Sequence, residues 1–305
     1  MFFLAYLYNL SERQVELFVN DSLSAKYFLG LGADEPSPDS TTLTVFKGRL
    51  LKAKGQKPWE ELLVKVVGLS QEKGIVFGRI QVVDSVHSIA NVNVSKERGR
   101  WGQGKPPRDP EARWGTKGRR PQPGPEGKAE LRPQYFFGYK SHVSLNTANH
   151  LITSLTVTSG EAYDGHQFPE LVGQDLLQGV RAQVYAGDRA YDDGENHFFL
   201  AQKGLHSALK LNDYRTKKRD ANKGDWLALM QDPDYRAGLG ERYKLEQKFG
   251  EAKVFHGRGR CRYLGLARYR FQAYLTALAF NLKRLVKLLY GISLRQPPKP
   301  VLQAA

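Results

Sequence analysis

Apolar residues in the first seventy positions recur with the period of helices. Leu4, Leu7, Tyr8, Val15, Phe18 and Val19 follow one another at spacings of three, four and seven, which places them on one helical face. Ser11, with Gln14 three residues on, reads as a capping box. Gly30 to Asp39 carries the Gly and Pro signals of a loop, and Ser40 or Thr41 starts a further helix through Phe46, Leu50 and Leu51. From Gly74 the pattern changes to short runs of Val, Ile, Phe and Tyr bounded by turn residues. These predict strands over Ile75 to Asp84, Phe136 to Leu145, Leu151 to Thr158, Gln183 to Ala186 and Ala208 to Leu211. Helical patterns cover Phe168 to Leu177, Asp193 to Lys203, Glu241 to Ala252 and Tyr269 to Leu289. Three strands followed by alternating helix and strand predict an α/β fold with a mixed sheet flanked by helices. The divisions expected are a small helical domain at 1–72, a sheet domain at 73–292 and a tail at 293–305. The first residues are already in helical phase, so part of the helical domain is expected to lie upstream of Met1.

Composition sharpens this picture. With 305 residues, 41% of them hydrophobic, the chain can bury a sizeable core. The single Cys261 excludes an internal disulfide and a cysteine zinc site, so any metal must be held by carboxylates or histidines. No apolar run is long enough to span a bilayer, and Met1 to Leu10 lacks the features of a signal peptide. A soluble, cytoplasmic, nucleoid-associated protein is expected, with no membrane partner. A formal net charge of +15 and a pI near 9.7 point to a polyanion, DNA or RNA. Two segments concentrate that charge. Residues 95–134 hold seven Gly, seven Pro and eleven Lys or Arg with almost no aliphatics, so they are expected to form a flexible insertion without a core. Trp101 and Trp114 suit base stacking within it, or packing back on the protein. After Glu251 there is no acidic residue, while Lys253, Arg258, Arg260, Arg262, Arg268, Arg270, Lys283, Arg284 and Lys287 follow. That one-sided run reads as a phosphate-binding face, and Phe271, Leu275, Leu278, Leu282, Leu285 and Leu289 as a core-facing stripe.

Two carboxylates end predicted strands. Asp84 closes the run Ile80 to Val83, and Asp188 follows Val184, Tyr185, Ala186 and Gly187. On neighbouring strands both open onto the crevice beyond the strand ends. Glu246 lies on a predicted helix, with Arg242 four residues before it and Lys253 seven after, all on one face; Leu245 and Phe249 anchor that helix to the sheet. Three converging carboxylates repel one another unless divalent cations sit between them, and Mg²⁺ or Mn²⁺ suits such a set. Spacing alone leaves many other acidic triples open. His87, His142 and Lys140 stand near these positions as phosphate contacts or as ordinary polar residues, and Asp164 with His166 reads as a helix cap.

The strings Asp84-Ser85-Val86-His87, Phe137-Gly138-Tyr139-Lys140-Ser141-His142 and Gly187-Asp188-Arg189-Ala190-Tyr191 resemble the insertion-sequence DDE transposases of the group numbered four and five. Arg242, Glu246 and Lys253 fit that family's Arg, three residues, Glu, six residues, Lys signature, with Phe249-Gly250 inside it. Leu10-Ser11-Glu12-Arg13-Gln14-Val15 and Pro38-Asp39-Ser40-Thr41-Thr42-Leu43 resemble the helical domain that precedes the core. The chain departs from the signature at Leu239, where the family has Tyr. The resemblance implies a ribonuclease-H-like catalytic domain with Asp84, Asp188 and Glu246 as catalytic metal ligands for two ions. It also implies cleavage at transposon ends and transfer of a 3′-hydroxyl into target DNA. The expected partner is double-stranded DNA, both terminal inverted repeats and target, with a dimer in the DNA complex. Arg242, Lys253, Lys140, Arg189, His87, Arg258 and Arg260 are the expected DNA contacts. A relative that binds DNA without transposing it, and a hydrolytic metal-dependent nuclease, are the alternatives.

Overall fold

The computed structural model describes residues 1–123, 129–212 and 223–294. Five helices come first: α1 (Phe2–Leu7), α2 (Glu12–Asp21), α3 (Leu23–Leu29), α4 (Ser40–Lys54) and α5 (Lys57–Glu72). The capping box expected at Ser11 and Gln14 starts α2, each side chain meeting the other residue's backbone N–H. Asp39 caps α4 through the Thr42 N–H, so the helix begins one residue beyond the Asp, at Ser40.

Then follow β1 (Ile80–Ile89), α6 (Val94–Gly102), β2 (Arg113–Pro123), β3 (Ala129–Asn146), β4 (Ile152–Ser159), α7 (Phe168–Leu177), β5 (Val184–Gly187), α8 (Gly194–Gln202) and β6 (His206–Leu209). The last helices are α9 (Lys223–Gln231), α10 (Pro233–Glu241), α11 (Tyr243–Phe255) and α12 (Leu266–Tyr290). β1 runs antiparallel to β3, which runs antiparallel to β4; on its other side β1 is parallel to β5, and β5 to β6. Three antiparallel strands with two more parallel to the first make the mixed α/β sheet that the pattern predicted, in the ribonuclease-H-like order that the family resemblance implied. The first strand sits later than expected, at 80–89, because Phe77 and Gly78 belong to the approach to the sheet; Asp84, expected to close the strand, lies midway along it and pairs with Val143, since β3 carries the ladder on to Ile89.

One helix holds the two ends of the chain together. Phe271 of α12 meets Phe2, Tyr6 and Trp59 edge-on, at ring separations of 5.2, 5.9 and 4.8 Å. The Arg262 guanidinium donates to the Leu10 carbonyl and to Asn9, and lies 4.4 Å over the Tyr6 ring. Lys47 pairs with Glu12, which also accepts from the Tyr263 hydroxyl at 2.8 Å. On the opposite face of the sheet, α7 is fixed by Asp175. This fully buried carboxyl accepts from Ser144 at 2.6 Å and from Gln81 at 3.0 Å, and burial pushes its pKa up.

The basic segment at 95–134 is more ordered than its composition suggests. It holds α6, then β2 paired along β3 from Arg113↔Gly138 to Pro123↔Ala129; residues 124–128 fall outside the described part. Backbone pairing, which composition does not report, organises it: the first half of β3 extends past the end of β1 and takes β2 as its partner. The arm leaves the sheet at a crossing of three glycines. A Cβ at Gly138 would overlap the Ser88 carbonyl, one at Gly115 the Gly160 carbonyl, and one at Gly160 would come within 2.9 Å of the Gly138 carbonyl. Of the expected tail, residues 295–305 also lie outside the described part. Among the described residues no helix is long and apolar enough to cross a membrane.

Gly138→Ala is expected to lower stability by about 2–4 kcal/mol, because a backbone carbonyl cannot move aside. Gly48→Ala, in open space on α4, should raise it by up to about 1 kcal/mol. Urea midpoints of the two variants check the contrast.

Candidate active site

The register of β1 on β5 brings the site together. Ile80, Gln81 and Val82 pair with Val184, Tyr185 and Ala186, so Asp84 and Asp188 stand level, two residues beyond the last pair. Gly187 leaves room for Leu209 and Tyr191: a Cβ there would sit 2.9 Å from one and 3.0 Å from the other. The close approach at this glycine is therefore made by core side chains. Asp84 accepts the Ser85 N–H at 2.7 Å and Asp188 the Ala190 N–H at 2.8 Å. Burial, and next the charge of Asp188, push the Asp84 pKa up to about 7. Asp188 is also raised, chiefly by burial. Arg242 is the nearby charge that opposes both shifts.

Arg242 stands one residue before α11, its side chain 17% exposed. Its guanidinium lies 3.9 Å from Glu246, one helical turn on, whose side chain is 62% exposed. Leu245 and Phe249 are buried and anchor the helix as expected. The structure thus brings Asp84, Asp188 and Arg242 together and leaves Glu246 at the open margin beside Arg242. Among the described residues no three His, Cys, Asp or Glu side chains are gathered as a metal site. The Asp pair fits a divalent cation nonetheless: the two carboxylates are half-buried side by side, each accepting a backbone N–H, with their charges incompletely balanced.

Asp164, read from sequence as a helix cap, lies at the centre of this region. It accepts from the Ser85 hydroxyl at 2.7 Å and from the Lys140 ammonium at 2.8 Å, and its charge acts on both Asp84 and Asp188. Its tie to Ser85, next to Asp84, depends on a tertiary contact across 79 residues that no local pattern shows. Lys140 also donates to the Ala162 carbonyl at 2.8 Å, so its ammonium is engaged on the protein. His142 is buried, its Nε2 2.9 Å from Thr158, and desolvation lowers its pKa to about 4.

The remaining expected DNA contacts divide. Lys253 is exposed on α11 and its charge reaches Asp84. Arg189 is exposed beside Asp188. The His87 ring lies tilted against Phe136, 4.8 Å between centres; its pKa falls to about 4, first by desolvation and then by Lys117, Lys253 and Lys140. Arg260 is exposed but its guanidinium donates to the Val92 carbonyl at 3.0 Å. Arg258 corrects the sequence reading: it is fully buried, 5.8 Å over the Phe249 ring, and burial lowers its pKa. A guanidinium enclosed in that way has no access to DNA. Nor is the rest of the basic run a continuous outer face, since Arg262, Arg270 and Arg284 donate to the carbonyls of Leu10, Val157 and Asn149.

A mixed sheet of this order carries two half-buried aspartates level with each other on neighbouring parallel strands, one midway along β1 and one just past β5. Residues 105–282 match the model of the transposase DDE domain, and residues 1–49 that of a transposase domain of the type DUF772; the chain belongs to the DDE transposase family and is an enzyme of DNA transposition. Among solved structures, the catalytic domain of Mos1 mariner transposase is 9% identical over 77% of this chain and 94% of its own, at a TM-score of 0.25. The Mos1 mariner paired-end complex with Mn is 13% identical over 90% of this chain and 77% of its own, also at 0.25. Overlap that loose carries no weight for this site. No curated protein matches the chain. Enzymes of the DDE class work with divalent metal ions.

The raised pKa of Asp84 has a stability consequence. Between about pH 4 and 7 the folded chain keeps a proton that the unfolded chain releases, so this contribution is lost as pH rises through about 7. In EDTA, Asp84→Asn should gain stability over the natural chain as pH rises, by on the order of 3 kcal/mol at pH 8. Urea midpoints from pH 5 to 8 measure it; a difference independent of pH would remove the buried-carboxylate account.

Proposed function

We propose that Asp84, Asp188 and Glu246 hold two divalent ions, Mg²⁺ or Mn²⁺, for cleavage at transposon ends and transfer of the 3′-hydroxyl into target DNA. The observation that carries this reading is the pair of half-buried carboxylates standing level just past the β1–β5 pairing, Asp84 midway along β1 and Asp188 one residue beyond β5. Glu246 joins them from the adjacent helix turn. When bound, such ions activate the attacking oxygen and balance charge on the leaving oxygen of an in-line displacement at phosphorus. Backbone N–H groups of Ser85 and Ala190 keep the aspartate oxygens in place. Arg242 is poised to exchange Glu246 for a phosphate oxygen, since an exposed ion pair of this kind contributes little on its own. Lys253 and Arg189 supply phosphate contacts on the open side.

Double-stranded DNA is the partner we assign, both terminal inverted repeats and target. Two ends joined in one reaction call for a dimer in the DNA complex. The chain acts in the cytoplasm, at the nucleoid. The domain division proposed is 1–72, 73–292 and 293–305, with the arm of residues 95–134 as an insertion in the second.

Two outcomes test these assignments. With a precleaved end and Mg²⁺, Asp84→Ala, Asp188→Ala and Glu246→Ala should each lower strand joining by at least about 10³-fold with the chain still folded. Joining within tenfold of the natural chain in any of them overturns that residue's role. Lys253→Ala should weaken duplex binding across all sequences and reduce the slope of log affinity against log salt by about one. Titration at several salt concentrations reads that slope.

A further inference from the structure

The arm formed by β2 and β3 stands beside α6 and encloses a cleft of about 1000 Å³. Its walls are aromatic: Trp101, Trp114, Tyr135 and Phe136, with His87 of β1 at the end nearest the carboxylates. Three of its lining residues are cations, Arg98, Lys117 and Arg132, and none is acidic. Arg132 is shared with Glu130 at 3.1 Å on the outer surface.

The rings are arranged to receive something flat. Trp101 is 71% exposed and Tyr135 57% exposed, which leaves two large aromatic faces turned to solvent. Trp101 and Trp114 lie 6.4 Å apart at 41°, a wedge in which neither ring covers the other. Trp114 in turn is backed by Phe137 at 5.4 Å, and Arg98 lies 5.7 Å over it. This gives one firmly held ring and one open ring at the mouth. The charge of Lys117 acts on both His87 and Lys253, so the cleft is continuous with the cationic margin of the active site.

We propose that this cleft binds an unpaired stretch of DNA strand next to the catalytic carboxylates, its bases stacked on Trp101 and Tyr135 and its phosphates met by Arg98, Lys117 and Arg132. The inference rests on the DNA-processing role of the neighbouring site. A duplex satisfies the cations but keeps its base faces covered, whereas an unpaired strand presents a π-face at each base. A protein surface would satisfy the rings but leave three cations without anions. The volume admits about two or three nucleotides, at the upper end of the range for ligand pockets.

The test uses the full chain in EDTA, where no cutting occurs, with fluorescein-labelled oligothymidylate of about ten residues and a blunt duplex compared by anisotropy. Trp101→Ala and Tyr135→Ala are each expected to weaken oligothymidylate binding about 5- to 100-fold and duplex binding less than about twofold. Trp101→Phe should retain most of the affinity. Oligothymidylate should quench tryptophan fluorescence in the natural chain, and less so in Trp101→Ala. No binding of oligothymidylate by the natural chain, unchanged affinity in the double variant, or equal loss for duplex and single strand would each overturn the proposal. Since Trp101 and Tyr135 are exposed, the variants are expected to fold, and an unchanged urea midpoint confirms it. Loss of the stacking effect with intact metal-dependent joining refutes the cleft alone. Stacking without any joining refutes the catalytic reading alone.

Discussion

The parallel pairing of β1 with β5 is the constraint on which the site depends. A parallel ladder cannot slip by one residue without turning every side chain to the other face, and here both faces are committed. Val82 packs in the core under α10 to α12, while Val83 and Tyr185 pack with α7 and α8. The apolar residues therefore fix the register, and the register fixes the aspartates. Asp84 and Asp188 are forced level by packing several residues away, against their mutual repulsion. Burial that would be a defect elsewhere becomes the means of holding two like charges at one spot.

The distribution of basic residues follows from a competition between two uses of arginine. Guanidinium groups tie the amino-terminal helices to the end of the chain: Arg262 reaches the Leu10 carbonyl, and Arg270 of α12 reaches Gln56 and the Val157 carbonyl of β4. A planar, multi-donor cation is suited to that task, since one side chain meets several acceptors. The same composition, read as a line of charge, resembles a phosphate-binding face. Lys253 and Lys117 are among the cations left facing solvent near the carboxylates and the arm.

This explains which parts of the molecule were legible from sequence. Alternation and helical spacing are local, so the strand before Asp188 and the helix carrying Glu246 lie within a few residues of their expected places, while the strand of Asp84 runs five residues further because its continuation depends on pairing with β3. The capping box at Ser11 was legible for the same reason. The role of Asp164 was not, because its ties to Ser85 and Lys140 depend on how β1, β3 and the turn before α7 meet in space. Arg258 was misread because charge patterning counts a cation as exposed unless an apolar context surrounds it in the chain, and the rings that meet it, Phe249 and Tyr269, come from α11 and α12. The arm was misread because Gly, Pro and Lys suppress an isolated strand, whereas a strand already extended from the sheet supplies its partner.

The charges around the site bear on how many ions it takes. Asp84, Asp188, Asp164 and Glu246 are four acids; Arg242 and Lys140 are the cations in closest association with them. His142 adds no charge, its pKa held near 4 by burial. Fully ionised, the group has two negative charges in excess, which adds to the desolvation that raises the Asp84 pKa to about 7. One divalent ion neutralises that excess and no more. A second makes the site positive by two, the sign and magnitude that attract a phosphodiester and the further charge gathering on its oxygens as bonds exchange. Asp164 matters to this balance without having to touch either ion: it holds Lys140 in the group, and removing its charge would shift the excess toward neutrality.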